Sequence, residues 1–382
     1  MTLEAMVFYG NGNAELPADA MGWLIEIRVE QELNKPTRFA LRFEDDLCGE
    51  APAMAGRSEI APNTMITVVA GTGTNVGQVC LARGPIVRIR SSNQFGGSGS
   101  WVEAHCETRQ VEMDRLPVQA KWTGPHDGIV KGLLAQYQFT PDVADVTGSA
   151  DEQDHQLNQS GTDFAFLNKM ATDHGVDFWL TYEASIVAGT AVVSETAHFK
   201  ISPPLAGALP GAIGGFSLLP TEDGPVFRLT TGSDACPTVN SFNGEADLER
   251  PTSAQTGAVD PAGGGTSDQG TEADPDTQED GPTLSDFGAT RTLQAPGPGP
   301  TEDQIRRQEA ALRAAAWFVE GSASTSTELL HHIVIPHQII RVEGAGPQLS
   351  IPYQVKQVTH VINGVAHMMD IKLRSNFMGA AA

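Results

Sequence analysis

The sequence predicts a β-rich α+β protein: runs of antiparallel strands towards each end of the chain, with an α+β domain between them. Three observations carry this. Forty glycines and 24 prolines across 382 residues leave few long apolar periodic runs, so turns are many and strands short. Strict apolar/polar alternation is concentrated towards the two ends of the chain. One well-capped helix, delivered directly into a strand, stands near the middle. The length also exceeds what one ordinary core organises, so several domains are expected.

Residues 1–118 read as the first barrel. Trp23 to Gln31 alternates, with Trp23, Ile25, Ile27 and Val29 on one face and Glu26, Arg28 and Glu30 on the other. Asn34-Lys35-Pro36 turns the chain, and Phe39, Leu41 and Phe43 align on the returning strand. Met65 to Ala70 leads through the loop Gly71 to Gly77 into Gln78 to Ala82. Gly84-Pro85 opens a further strand, Ile86 to Ser91, and Trp101 to Cys106 follows. Five or six such strands in about 115 residues suit a small barrel or sandwich.

Residues 119–210 read as the α+β domain. Ile129, Leu133, Leu134 and Tyr137 mark one side of a short helix, followed by an acidic loop from Gln138 to Asp154. Then comes the central unit. Thr162 or Ser160 can cap a helix whose first turn holds Asp163 and whose apolar face is Phe164, Leu167, Met170 and Ala171. Gly175 ends it, and Val176, Phe178 and Leu180 alternate as a strand. Ala191 to Ile201 adds another strand.

Residues 211–250 and 322–382 read as a second run of strands, interrupted by residues 251–300 and a helix over 301–321. Between Asn243 and Asp303 thirteen acids face two bases, Arg250 and Arg291, amid Gly, Pro, Ser and Thr. Such a segment buries too little apolar surface to offset chain entropy, so it is expected to be flexible or only locally ordered. Thr301-x-x-Gln304 is a capping box, ahead of Ile305, Leu312, Ala316 and Val319 on one face. Asn363-Gly364 predicts a two-residue hairpin turn that pairs Val358 to Ile362 with Val365 to Met369.

The net charge of −23, from 47 acids against 24 bases, argues against a protein that grips nucleic acid. It is compatible with one past which a polyanion slides, because a negative lumen holds no sticky sites. Cys48, Cys80, Cys106 and Cys236 lack metal-type spacing and are expected to be reduced thiols. No secretory signal is evident, and no apolar run approaches the ~20 residues that span a bilayer, so no stable membrane insertion is expected.

No constellation for chemistry stands out; catalytic, cofactor-binding and metal residues are all expected to be none. The loop Gly71 to Gly77 lacks the glycine spacing of a dinucleotide loop and the Lys-Ser/Thr of a phosphate loop. Asp274, Asp276 and Asp280 miss the EF-hand pattern. His331, His332 and His337 cluster in sequence, and His360 faces His367 across the expected hairpin. A zinc site needs two more ligands than that pair supplies, so polar strand residues are the plainer reading. Cys106 and His105 are adjacent on a strand and point to opposite faces, which prevents a nucleophile–base contact.

Asp163, Phe166, Leu167, Ala171 and Gly175, with the strand behind them, resemble the phage late control protein D family. These are baseplate hubs of contractile tails, similar to the N-terminal half of type VI secretion spike proteins. Gly84 to Val87 and Asp114 to Leu116 match the family's first tail-tube-like barrel. Tyr353, Val355, Val358, His360, Leu373, Arg374 and Asn376 match its ending. The resemblance implies a structural protein, not an enzyme: a homotrimer whose two tube-like barrels per chain give a pseudo-sixfold ring, joining a hexameric tail tube to a trimeric spike and leaving a channel for DNA. Implied partners are the tail tube protein, a separate trimeric spike protein, the tape measure protein and baseplate wedge proteins. The spike is expected to be separate because only six residues follow Asn376. The implied location is the virion tail baseplate, assembled in host cytoplasm. Two alternatives stand beside it: the hub of an injection or type VI-like apparatus carrying effectors, and a hub-associated peptidoglycan hydrolase.

Overall fold

The computed structural model describes residues 4–45, 54–71, 77–94, 99–144, 146–150, 157–202, 225–229, 236–259, 266–272, 282–287, 291–294 and 301–379. The first β module comprises β1 (Ala5–Tyr9), α1 (Ala18–Trp23), β2 (Leu24–Glu32), β3 (Arg38–Glu44), β4 (Met65–Ala70), β5 (Val79–Ser92) and β6 (Trp101–Glu107). Its strands run in the order β1–β4–β5–β6–β3–β2. Phe39, Leu41 and Phe43 are buried as the alternation requires, and they meet Ile27, Val29, Ile66, Val68 and Leu81 in one core. Each such side chain contributes roughly 1.5–3 kcal/mol of burial.

Two expectations here are corrected. Trp23 closes a short helix instead of opening the strand, and Ile25 is 42% exposed. A β-bulge between Leu24 and Glu26 inserts one residue, which turns Ile25 out while Leu24 and Ile27 stay in. Nor does Gly84-Pro85 separate two strands, because β5 runs unbroken through it. A Cβ on Gly84 would lie 1.8 Å from the Glu107 carbonyl oxygen, so the residue marks a close approach of two backbones rather than a turn.

The middle region holds β7 (Pro117–Trp122), α2 (His126–Gln136), β8 (Thr140–Val143), β9 (Leu157–Thr162), α3 (Asp163–His174), β10 (Asp177–Val187) and β11 (Thr190–Lys200). Part of the loop expected after α2 is β8, which pairs in parallel with β11. Thr162, not Ser160, caps α3: its Oγ1 accepts the Ala165 N–H at 3.2 Å. Gly175 ends the helix at φ 62°, ψ 35°, the left-handed conformation expected of it. Asp163 does more than favour the helix dipole. It is buried and accepts the Tyr137 hydroxyl and the Gln159 amide, both at 2.6 Å.

The second module holds β12 (Val226–Arg228), β13 (Ser241–Ala246), β17 (Val319–Ser326), β18 (Ile339–Glu343), β19 (Pro352–Asn363) and β20 (His367–Ser375). Its own core gathers Phe227, Phe318, Ile340, Tyr353, Val355, Val358 and Ile371. Between β13 and β17 lie β14 (Ser253–Val259), β15 (Thr266–Glu272) and β16 (Thr292–Gln294), joined in a separate three-stranded sheet, so the acidic segment is locally ordered there. The helix α4 (Thr301–Ala315) lies against α3, where a Cβ on Gly175 would come within 2.9 Å of the Ala310 Cα.

The β19–β20 connection differs from the two-residue turn expected. Ile362 pairs with His367, so the loop is Asn363 to Ala366. Asn363 Oδ1 accepts the N–H groups of Val365 (2.8 Å) and Ala366 (3.0 Å), an Asx turn that stabilises the longer loop. The register moves by an even number of residues, so every side chain keeps its face.

The two modules are not merely bridged by the middle region. β2 pairs antiparallel with β19 from Gln357↔Glu32 to Asn363↔Glu26. One 16-stranded sheet therefore runs through both, and β11 extends it through Ala14–Glu15 into the middle region. Along it, β5–β6–β3–β2–β19–β20–β17–β13 form eight neighbouring strands, each antiparallel to the next.

Candidate functional site

Two features of this architecture are built from side chains rather than from the backbone alone. The first is a polar junction where the three regions meet. Asp177 opens β10, and its side chain is only 10% exposed. It accepts the Arg374 guanidinium at 2.6 Å, the Asn34 amide at 2.7 Å, and the Ser202 hydroxyl. Arg374 also donates to Gln354 Oε1 at 2.8 Å and lies 4.4 Å over the Trp317 ring. Asn34 belongs to the turn after β2, Asp177 and Ser202 flank the β10–β11 hairpin, and Arg374 and Gln354 sit on β20 and β19. One carboxylate thus ties the first module, the middle region and the second module together. Burial alone would push the Asp177 carboxyl up, but the Arg374 charge and the Ser202 and Asn34 hydrogen bonds outweigh it and hold the group below its usual value.

Ser202, His337 and Asp177 stand together, as a hydrolase would require, yet the hydrogen bonds run the wrong way. The Ser202 hydroxyl donates to Asp177, while His337 Nε2 is 3.5 Å from the same oxygen. In a nucleophilic triad the imidazole takes the serine proton and the carboxylate orients the imidazole. His337 instead stacks on Trp179 with ring centroids 3.9 Å apart, and burial lowers its pKa to about 4. The junction fixes geometry; it is not arranged for acyl transfer.

The second feature is the polar face of the eight-strand layer. Its other face is buried by the two cores, whereas Arg28, Glu30, Arg38, Glu103, His105 and Glu107 project outward around a cleft of about 370 Å³. Ion pairs tile this face, Arg28–Glu30 at 2.9 Å and Arg38–Glu107 at 3.2 Å, and His105 Nε2 lies 2.7 Å from the Glu103 carboxylate. Such exposed pairs are worth at most ~1 kcal/mol each, so they keep the face soluble rather than hold the fold.

The histidines singled out in sequence fall as follows. His360 Nδ1 and His367 Nε2 lie 3.0 Å apart, as diagonal neighbours rather than directly opposed partners. Gln31 Nε2 donates to the Leu81 carbonyl, so Gln31 Oε1 accepts from His360 Nε2–H at 3.2 Å. His360 Nδ1 is then the acceptor for His367 Nε2–H, and both rings are neutral. Burial lowers the His360 pKa well below normal and that of His367 to about 4. No cluster of three metal-ligating side chains occurs among the described residues. His331 ends the turn after β17 with a positive φ, and His332 and His337 are separately packed. Cys106 is buried with its thiol pushed well up, on the opposite face from His105. Asp274, Asp276 and Asp280 lie outside the described residues. No described helix is long and apolar enough to cross a membrane.

The junction residues were missed as a group because their partners are far apart in sequence: Asn34, Asp177, Ser202, Gln354 and Arg374. The one signal was Asp177 itself, an acid set between Val176 and Phe178 in a strand that otherwise reads as buried.

No family model matches the chain, and no curated protein matches it. Solved structures do match over nearly the whole length. The 43 kDa tail protein of prophage MuSo2 from Shewanella oneidensis aligns at TM-score 0.64 and 12% identity, covering 98% of this chain and 99% of that one. A tail protein from Neisseria meningitidis gives 0.62 and 12%, covering 97% of each. A component of the E. coli type VI secretion system, itself similar to bacteriophage tail proteins, gives 0.52 and 12%, covering 98% of this chain and 79% of that one. The class defined is therefore a β-rich α+β fold of phage tail proteins, shared with a type VI secretion component. The chain as a whole, both modules with the region between them, has that fold.

Proposed function

We infer that this chain is the structural hub of a contractile phage tail baseplate, joining a sixfold tail tube to a threefold spike. One observation carries the reading: two β modules, each with its own core, are fused edge to edge into a single antiparallel layer. A chain holding two similar modules is the simplest adaptor between symmetries, because three copies present six modules on one side and three chains on the other. The fold likeness to phage tail proteins over nearly their full lengths supports it. The role is mechanical. The layer forms part of the wall of the channel, its polar face towards the lumen, while the junction around Asp177 holds the middle region in register with both modules.

The lumen expected from the overall charge was acidic. The polar face instead interleaves bases with acids, Arg28 beside Glu30 and Arg38 beside Glu107. Paired charges give a passing polyanion little to bind, which serves sliding as well as repulsion does. The tail tube, spike, tape measure and wedge proteins are the partners this role requires, and the virion baseplate is its place. A hub of a type VI-like apparatus is favoured by one observation, the likeness to the E. coli secretion component. Co-purification separates the two readings. Tail tube and wedge proteins recovered with the chain from lysed phage particles support the first; secreted effectors bound to it support the second.

A further inference from the structure

α3 and α4 touch where Gly175 meets Ala310, and beside that contact a cleft of about 490 Å³ opens. Ala311 and Ala314 line it with side chains of one carbon, which leaves the space unfilled, and it reaches Asp177 and Arg374 of the junction. Pockets of roughly 300–1,000 Å³ are the size that small ligands occupy. Two further arginines, Arg307 and Arg313, line the cleft from α4, and both are half-buried. Among the described residues neither guanidinium hydrogen-bonds a carboxylate. Asp173 Oδ2 stands 3.7 Å from Arg307 Nε, beyond hydrogen-bond reach. Arg313 Nη1 donates to the His174 carbonyl at 3.3 Å, at the C-terminus of α3. Asp177 does not neutralise them, because Arg374, Asn34 and Ser202 already occupy its oxygens. In a chain of 47 acids against 24 bases, these are half-buried cations for which the fold provides no tight partner, and such charges are costly unless paired.

We propose that this cleft binds a small oxyanion, a phosphate or carboxylate group carried by a molecule compact enough to enter it, held by the guanidiniums of Arg307 and Arg313. The site goes beyond the hub reading and does not depend on it. Three arguments select the ligand. A guanidinium is a planar fork that matches two oxygens of a carboxylate or phosphate, and the hydrogen bonds it makes to them are the strong, charge-assisted kind. Both forks have donors to offer: of the five N–H groups that an arginine carries, Arg313 uses one on His174, and Arg307 faces Asp173 only loosely. Size and charge exclude the larger alternative. A chain of net charge −23 repels a long polyanion more strongly than a small one, and the cleft has no room for a nucleic-acid strand. A bound anion lies between α4 and the junction, so occupancy fastens α4 to the middle region and raises stability by mass action.

The test titrates inorganic phosphate and succinate separately into the full chain, at constant ionic strength in a buffer without other oxyanions, and follows calorimetric heat and thermal midpoint. The expected result is saturable binding of one anion per chain by at least one probe, with a dissociation constant of about 1 mM or below. The thermal midpoint should rise with the concentration of that probe. Arg307→Gln and Arg313→Gln should each weaken binding about tenfold or more. Lys131→Gln, at an exposed position on α2, should bind as the wild type does. Arg307→Lys and Arg313→Lys keep the charge and lose the fork; they replace a glutamine variant that fails to fold, and should also weaken binding. Binding of phosphate alone or of succinate alone supports the site and identifies the group it takes. Neither probe binding saturably overturns it, and so does equal binding by wild type and arginine variants. Either failure leaves the hub reading standing, because co-purification decides that separately.

Discussion

Buried histidines contribute to how this protein responds to acid, alongside carboxylates such as Asp177 whose pKa is held down. The chain Leu81–Gln31–His360–His367 holds two neutral imidazoles in the first module's contact with the second. His367 titrates at about 4 when folded, against 6.5 in an open chain. The unfolded form therefore takes up its proton first as pH falls. The stabilisation is complete above about pH 6.5 and is lost as pH drops through about 4, at up to roughly 3 kcal/mol for this group. His174, lowered to about 3 by burial, and His337 share the window. Thermal midpoints between pH 7 and 4 should fall, and His367→Gln should flatten that fall; superimposable profiles would refute the assignment. Purified protein should carry zinc well below one ion per chain. Arg374 is the second residue-scale case. Arg374→Ala leaves Asp177 ionised, buried and without its cation, and should cost about 3–5 kcal/mol by denaturant unfolding, partly recovered when Asp177→Asn is added. An effect under 1 kcal/mol would mean the junction is not what locks the three regions.

At the scale of elements, local rules decided most outcomes where one residue had one job. Gly175 ends α3 as its position indicated, and Phe39, Leu41 and Phe43 face inward as their alternation required. The misreadings have a common cause: contacts between strands distant in sequence. Ile25 is turned out by a bulge whose origin lies in the pairing with β3, and the length of the β19–β20 loop depends on an asparagine side chain rather than on the Asn-Gly pair. Gly84 signals a breaker to a reader of sequence, yet what it answers to is the Glu107 carbonyl. Gly84→Ala should therefore unfold or strongly destabilise the first module, whereas Gly12→Ala, with open space around it, should shift the thermal midpoint by under a degree or two. Equal effects would show that the close approach does not matter. The three strands of the acidic segment were unreadable because Thr, Gln, Ser and Ala pair by backbone alone and leave no apolar period.

For the whole molecule, the β-rich α+β fold class was legible, because patterning along strands survives any tertiary arrangement. The fusion of β2 to β19 was not. Edge pairing across more than 300 residues leaves no local trace, and neither does the junction that braces it. Yet that fusion is what makes one polypeptide a continuous two-module layer rather than two tethered domains. The proposed hub role requires that layer to close into a threefold ring, which two-dimensional class averages of the purified protein display directly by electron microscopy. A closed ring with six modules around one channel is the result expected of a hub. Isolated single chains, or open filaments with no central channel, would contradict it.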